Sequence, residues 1–426
     1  SDVPLYSASL PLARQLGDRW YEAFCLRGLA AVTANWANPE QARPQLEQSL
    51  ALFTALHDDW GIALVRFNRG WLALDYDEPD QAAAEWEAAL AGFQRGGDRW
   101  ALAVTIGALG YVARLRGQYE HSADLIHTSL AYFRALGEKA GGAVSLNRLA
   151  NLAFRRSDYR EASAFLQESV AVLHGQHELQ SLIAAYQLLG LVAGHQGDFV
   201  QAEAYIRSSI EQARLRAINT EESAGVGYLA FLAYLQNDLA RADELFQTSL
   251  RLFERDQDHD GIITFAEYGL GLVALQQRKI DEAREQLAHS LRRYRAAGDK
   301  RSIALALDGL GRLACQQGDR EAAIAHFRES LLLRRPMGDK EGIAQSLERL
   351  ASTAHDAKVA ARLLGAADTL RQTIGAPLPP VELSAHHALL AQVRQTLGDA
   401  GFDHSWATGQ LTTGEAALAL ALEAAQ

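Results

Sequence analysis

Apolar residues recur at intervals of three and four along most of this chain, and these helical stripes themselves return about every 40 positions. In Ser181 to Gln196 the stripe is Leu182, Ala185, Leu189 and Val192. Gly197 and Asp198 interrupt it, and Phe199, Ala202, Ile206 and Ile210 begin the next. Glycine supplies the left-handed turn that ends one helix, and an aspartate beside it caps the following one. The pattern predicts a helical hairpin, and its repetition predicts a solenoid of stacked hairpins. Small residues mark where paired helices must approach: Gly70, Gly110, Ala150, Gly190, Ala230, Gly271, Gly311 and Ala351 on first helices. On second helices they are Ser49, Ala89, Ser129, Ser169, Ser209, Ser249, Ser290 and Ser330. Turn signals between repeats stand at Gly97-Asp98, Gly137-Glu138, Gly298-Asp299 and Gly338-Asp339.

The pairs Leu109-Gly110 and Leu189-Gly190, the turn Gly197-Asp198-Phe199, the following Ala202 and the later Ser209-Ile210 resemble the tetratricopeptide (TPR) repeat over about residues 19–375. Each unit is longer than the usual repeat of about 34 residues, by roughly 9 Å of helix. In that length it is similar to the repeats of MalT-like regulators. The resemblance implies an all-α fold, a right-handed TPR superhelix of about nine hairpins. Leu5 to Leu16 reads as the second helix of a preceding repeat, within residues 1–18, so the expectation is a fragment of a longer polypeptide. Gly375 to Pro380 breaks the final repeat. Helices over Val381 to Leu397 and Thr413 to Ala425, the latter opened by a capping box from Thr412 to Glu415, are expected to cap the solenoid within residues 376–426.

Ala361 to Arg371, Ile374 to Pro380, Phe402 with Trp406, and Leu411 with Glu415-Ala416 resemble the C-terminus of bacterial STAND-type signal-transduction ATPases, among them LuxR-type transcriptional regulators. The resemblance implies a cytoplasmic, non-enzymatic sensor region, with an ATPase module N-terminal to residue 1. The alternative is a stand-alone TPR adaptor for protein docking or self-association. No phosphate-binding loop of the form G-x-x-x-x-G-K-[ST] occurs in the sequence, so ATP hydrolysis is not assigned to it.

Charge and composition narrow the partners. A net charge of -11 argues against direct nucleic-acid binding, which needs clustered Lys and Arg. No apolar run approaches the roughly 18 residues of a membrane helix, so no membrane contact is expected. Cys25 and Cys315 stand many repeats apart, and if each repeat touches only its neighbours they do not pair. Cys315, inside a repeat, is expected to be a small buried apolar residue.

Two constellations carry chemistry. In TPR-like repeats the first helix of each pair lines the concave surface. The small-residue register puts Phe67, Trp71, Tyr111, Arg114, Asn147, Asn151, Arg155, Gln187, His195, Phe231, Tyr234 and Tyr268 on or near it. Asn147, Asn151 and Gln187 suit a carboxamide ladder for a peptide backbone, Arg114 and Arg155 suit a carboxylate or phosphate, and the aromatic rings suit a sugar. The alternative is that Trp71 and Tyr111 simply pack between superhelical turns, where long repeats leave gaps for aromatic rings to fill. Asp256, Asp258, Asp260, Ile262 and Glu267 match the calcium loop D-x-[DN]-x-[DN]-G-x5-E, with Ile262 offering its carbonyl and Glu267 two oxygens. The same stretch also aligns with an Asp-rich inter-repeat turn carrying one inserted residue. Ca²⁺ is the only cofactor suggested. His386-His387 has no third ligand at zinc spacing, and no catalytic constellation stands out.

Overall fold

The computed structural model describes residues 3–35, 39–76, 78–173, 179–253, 260–412 and 414–424, and among these there are 21 α-helices and no strand. Two compact units divide the chain, Ser1–Leu149 and Ala150–Gln426. The first holds α1 (Val3–Leu16), α2 (Arg19–Asn35), α3 (Pro39–Ala55), α4 (Asp59–Asp75), α5 (Pro79–Gly96), α6 (Arg99–Leu115), α7 (Tyr119–Leu136) and most of α8 (Lys139–Arg155). The second continues with α9 (Tyr159–Leu173), α10 (Leu179–His195), α11 (Phe199–Leu215), α12 (Asn219–Leu235), α13 (Leu239–Phe253), α14 (Asp260–Gln276) and α15 (Ile280–Ala296). It ends with α16 (Lys300–Gln317), α17 (Arg320–Met337), α18 (Lys340–Thr353), α19 (Ala357–Ile374), α20 (Pro380–Gln410) and α21 (Gly414–Ala424).

The small-residue series has a steric cause. Sixteen positions after each glycine, a large side chain on the second helix lies over it. A Cβ on Gly70 would stand 2.3 Å from the Trp86 indole nitrogen, and one on Gly311 would stand 2.4 Å from the Phe327 ring. Trp86, Ile126, Ile206, Leu287 and Phe327 are all buried in this way. The serines are more than spacers. The hydroxyls of Ser49, Ser129 and Ser330 donate to the carbonyls of Ala23, Ala103 and Ala304 at 2.7, 2.7 and 2.9 Å, and Ser249 donates to Ser223 at 2.8 Å. Each bond clips a second helix to the first helix of its own hairpin, 26 residues back, at a point where both are buried. The aspartates of the turn signals cap the following helix: Asp98, Asp198, Asp319 and Asp339 each accept a backbone N–H three residues on.

Three features depart from the expectation. The last helical segment is longer, because α20 continues past a kink at Gly398 (φ 68°) to Gln410, adding a helical arm not foreseen between the two capping helices. Cys315 is exposed and Cys25 buried, and both are free thiols. In the second unit, contacts are not confined to neighbouring repeats. The turn between α8 and α9 meets the start of α18: Ser157 Oγ donates to Asp339 Oδ1 at 3.1 Å and accepts from the Glu341 N–H at 3.0 Å. Tyr159 Oη bonds the Glu341 carboxylate, and Lys340 pairs with Asp158. Helical repeats bend progressively, so distant members can meet; six polar side chains make that contact specific.

Candidate functional site

In the second unit the inner faces of α10, α12, α14, α16 and α18, with the end of α8, surround a cavity of about 460 Å³. Each is the first helix of a hairpin. The segment 377–382 closes one side, so the chain's own C-terminal strap forms part of the wall. It is anchored along its length: Pro377 lies against Gly197, the Val381 carbonyl accepts from Gln276 at 3.4 Å, and Ala376 and Val381 are buried in the cores of the repeats. The volume falls within the range of ordinary ligand pockets, about 300–1,000 Å³.

One wall is aromatic. Phe231 stands 6.2 Å from the His195 ring, 6.4 Å from Tyr234 in a stacked arrangement and 6.0 Å from Phe265. Phe154, Phe199, Tyr228 and Tyr268 extend the wall. Burial raises the hydroxyl pKa of Tyr234 and Tyr268, and pushes that of Tyr228 up to about 12 with help from Glu221, so all three stay neutral donors near neutral pH.

Adjoining it is an ion-paired network. Arg371 grips Glu348 through two bonds of 2.7 and 2.9 Å, and its other nitrogen lies 3.9 Å from Glu341. His195 Nδ1 is 2.8 Å from Glu341. Glu382, from the strap, takes Arg349 at 2.9 Å and Arg312 at 3.3 Å, while Arg349 also reaches Asp308 at 3.4 Å and Arg312 donates to Tyr234 Oη at 3.2 Å. Burial alone would raise the carboxyl of Glu341. His195, Arg371 and the Tyr159 hydroxyl outweigh it and hold the group at about 2. Glu382 is likewise raised by burial and pulled down to about 2 by Arg312 and Arg349. A buried carboxylate so strongly held is charged at every physiological pH.

The expected groove residues divide between the units. Arg155, His195, Phe231, Tyr234 and Tyr268 line this cavity. Asn151 does not; its Oδ1 accepts from Arg155 Nε at 3.0 Å and so steers that side chain. Gln187 spends its amide on Glu221, bonding both its carbonyl and its carboxylate at 3.1 Å. Asn147 is half-buried on the part of α8 that belongs to the first unit. Trp71 and Tyr111 also belong to the first unit, where they lie 6.5 Å apart, Trp71 packs edge-on to Trp86 at 5.0 Å, and Arg114 stacks over Tyr111 at 4.7 Å. These contacts lie within one hairpin and between adjacent hairpins. Asp256 and Asp258 of the calcium loop lie outside the described residues. Asp260 and Ile262 belong to α14, and the Glu267 carboxylate faces His289 at 3.1 Å and Arg293 at 3.5 Å.

The reading by register missed Asp308, Arg312, Glu348 and the strap. The signal was present, because continuing the Tyr268 position by one and two 40-residue steps lands on Asp308 and Glu348, and the Phe231 position leads to Arg312. The strap carries no such periodic signal.

Comparison with known proteins agrees with this architecture. Family models of the tetratricopeptide repeat match residues 263–335 and 143–174. No curated protein sequence matches the chain. Among solved structures, a Rap protein complexed with competence and sporulation factor aligns at 11% identity and a TM-score of 0.57, over 79% of this chain and 99% of that one. The Rap conjugation gene regulator of plasmid pLS20, in complex with the Phr* peptide, aligns at 14% and 0.55, covering 78% and 96%. The apo quorum sensor NprR from B. thuringiensis aligns at 12% and 0.52, covering 85% and 98%. At such identities the shared property is the fold. The chain carries tetratricopeptide repeats and folds as a TPR-like helical solenoid, and among its described residues no helix is long and apolar enough to cross a membrane.

Proposed function

We propose that this chain is a non-catalytic binding scaffold whose second unit receives an effector, a peptide or a small molecule, in the cavity between α10 and α18. The observation that carries the reading is the cavity itself: an aromatic wall and an ion-paired network, most of their residues on first helices, with the strap as a further side. Similar folds solved with a peptide bound lend support from outside the chain. Occupation of a space bounded by helices of five successive hairpins would favour one curvature of the repeats over others, which is how binding would be transmitted. On this reading the chain is the effector-binding region of a larger cytoplasmic bacterial signalling ATPase or transcriptional regulator. An ATPase module would lie N-terminal to it, and nucleic acid would be left to other domains.

A mixed library of short peptides and metabolites, incubated with the chain and followed by native mass spectrometry, tests the reading. Retained ligands at one per chain are expected, and Leu305→Trp, which fills the cavity from α16, should release them. Retention unaffected by Leu305→Trp, or no retention at all, overturns the cavity as the binding site. A calcium ion in the 256–267 loop is a separate proposal, in which Glu267 would have to leave His289 and Arg293. A melting temperature that rises with calcium and falls with chelator supports it; an unchanged one rejects it.

A further inference from the structure

The lining of the cavity holds five guanidinium groups, Arg155, Arg301, Arg312, Arg349 and Arg371. Four of them have carboxylate partners: Arg155 with Asp299 at 3.9 Å, Arg312 and Arg349 with Glu382, and Arg371 with Glu348. Every lining carboxylate is engaged as well, since Asp308 pairs with Arg349, Glu341 with His195, and Asp299 caps α16. Among the described residues Arg301 is the lining cation that forms no ion pair. Its guanidinium instead stacks at 4.6 Å over the ring of Phe154, half-buried at the cavity wall. Stacking uses the flat face of a guanidinium and leaves its N–H edge, the part that binds carboxylates in two-pronged fashion, uncommitted.

The strap restricts what reaches that edge. With residues 377–382 held along one side by Gln276, Arg312 and Arg349, the cavity of about 460 Å³ suits one small metabolite or a few residues. Resting on the cavity reading above, we infer that the ligand is a compact organic acid: one carboxylate held by Arg301, and an apolar body laid against Phe231, Phe265 and Tyr268. A free aromatic acid and the C-terminus of a short peptide share this chemistry.

Calorimetry with three probes tests it: the acetylated tripeptide Ala-Leu-Phe with a free carboxylate, the same peptide as its C-terminal amide, and 3-phenylpropionate. Wild type should bind the acid at least tenfold more tightly than the amide. Arg301→Gln should abolish that difference, and Arg301→Lys should keep part of it. Phenylpropionate binding as tightly as the peptide acid identifies a free acid as the source, and markedly weaker binding identifies a chain end. Equal affinity for acid and amide in wild type, or a preference that survives Arg301→Gln, overturns the role of Arg301 while leaving the cavity reading intact. Failure of all three probes to bind overturns the compact-acid inference, and the library experiment then decides separately whether the cavity binds anything.

Discussion

Glu341 connects three parts of the second unit at one carboxylate: Tyr159 from the α8–α9 side, His195 from the end of α10 and Arg371 from α19. Removing one member of such a buried set leaves the others uncompensated, which typically costs about 3–5 kcal/mol. Glu341→Gln should therefore lower the stability of this unit by an amount of that order in urea denaturation, whereas Arg301→Gln, which breaks no ion pair, should lower it less. The pH dependence follows from the same group and from Glu382. Both carboxyls titrate at about 2 in the folded chain against an ordinary value near 4.5. Between those values the unfolded chain binds protons that the folded one does not, so acid favours unfolding. The stabilisation is complete above about pH 4.5 and lost as pH falls towards 2. Denaturation midpoints measured from pH 6 down to 3 should be flat at first and then fall. Glu341→Gln should make the fall shallower.

At the scale of helices, the sequence pattern was legible because steric and capping rules act locally. Gly70 illustrates the limit on substitution. Alanine there would gain about 1 kcal/mol of helix propensity, yet its Cβ would intrude on Trp86, which is fully buried and donates its indole N–H to Phe67 at 3.0 Å. Overpacking costs typically about 1–3 kcal/mol, so Gly70→Ala should be net destabilising by about 1 kcal/mol, and a thermal melt reads the sign. Arg278 shows the opposite case. It occupies a turn where other repeats carry glycine, and its φ of 59° strains an L-residue. Arg278→Gly should raise stability by about 1 kcal/mol, because the left-handed conformation costs a residue with a Cβ roughly 1–2 kcal/mol and the added chain entropy takes part of that back. The extra arm of α20 beyond Gly398 was not legible, since Gly398-Asp399 looks like the turns that end helices elsewhere and here only bends one. The exposure of Cys315 escaped for a related reason: small residues fit both faces of a helix, and size alone does not choose between them.

For the molecule as a whole, period and composition were enough to indicate an all-helical solenoid; of the residues that the TPR-like register put on the inner face, Arg155, His195, Phe231, Tyr234 and Tyr268 line the cavity. What the pattern could not encode is how far the repeats bend. The meeting of Ser157 and Tyr159 with Asp339 and Glu341 joins residues 182 positions apart, and such contacts depend on small rotations summed over many hairpins. The strap is illegible for a different reason. Gly375 to Pro380 reads as a helix breaker, and nothing in a breaker says which surface it crosses; its destination is set by Glu382 finding Arg312 and Arg349. The ligand reading depends on both of these long-range features, which is why the residues inferred from register alone were scattered over two units while those of the cavity belong to one.

Hydrogen exchange on the chain loaded with the ligands retained from the library tests the central claim most directly. The account predicts slowed exchange in α12, α14, α16 and α18 and in the segment 378–382, with α2 to α7 unchanged. Protection confined to α2 to α7, or exchange in α12 to α18 identical with and without ligand, would contradict it.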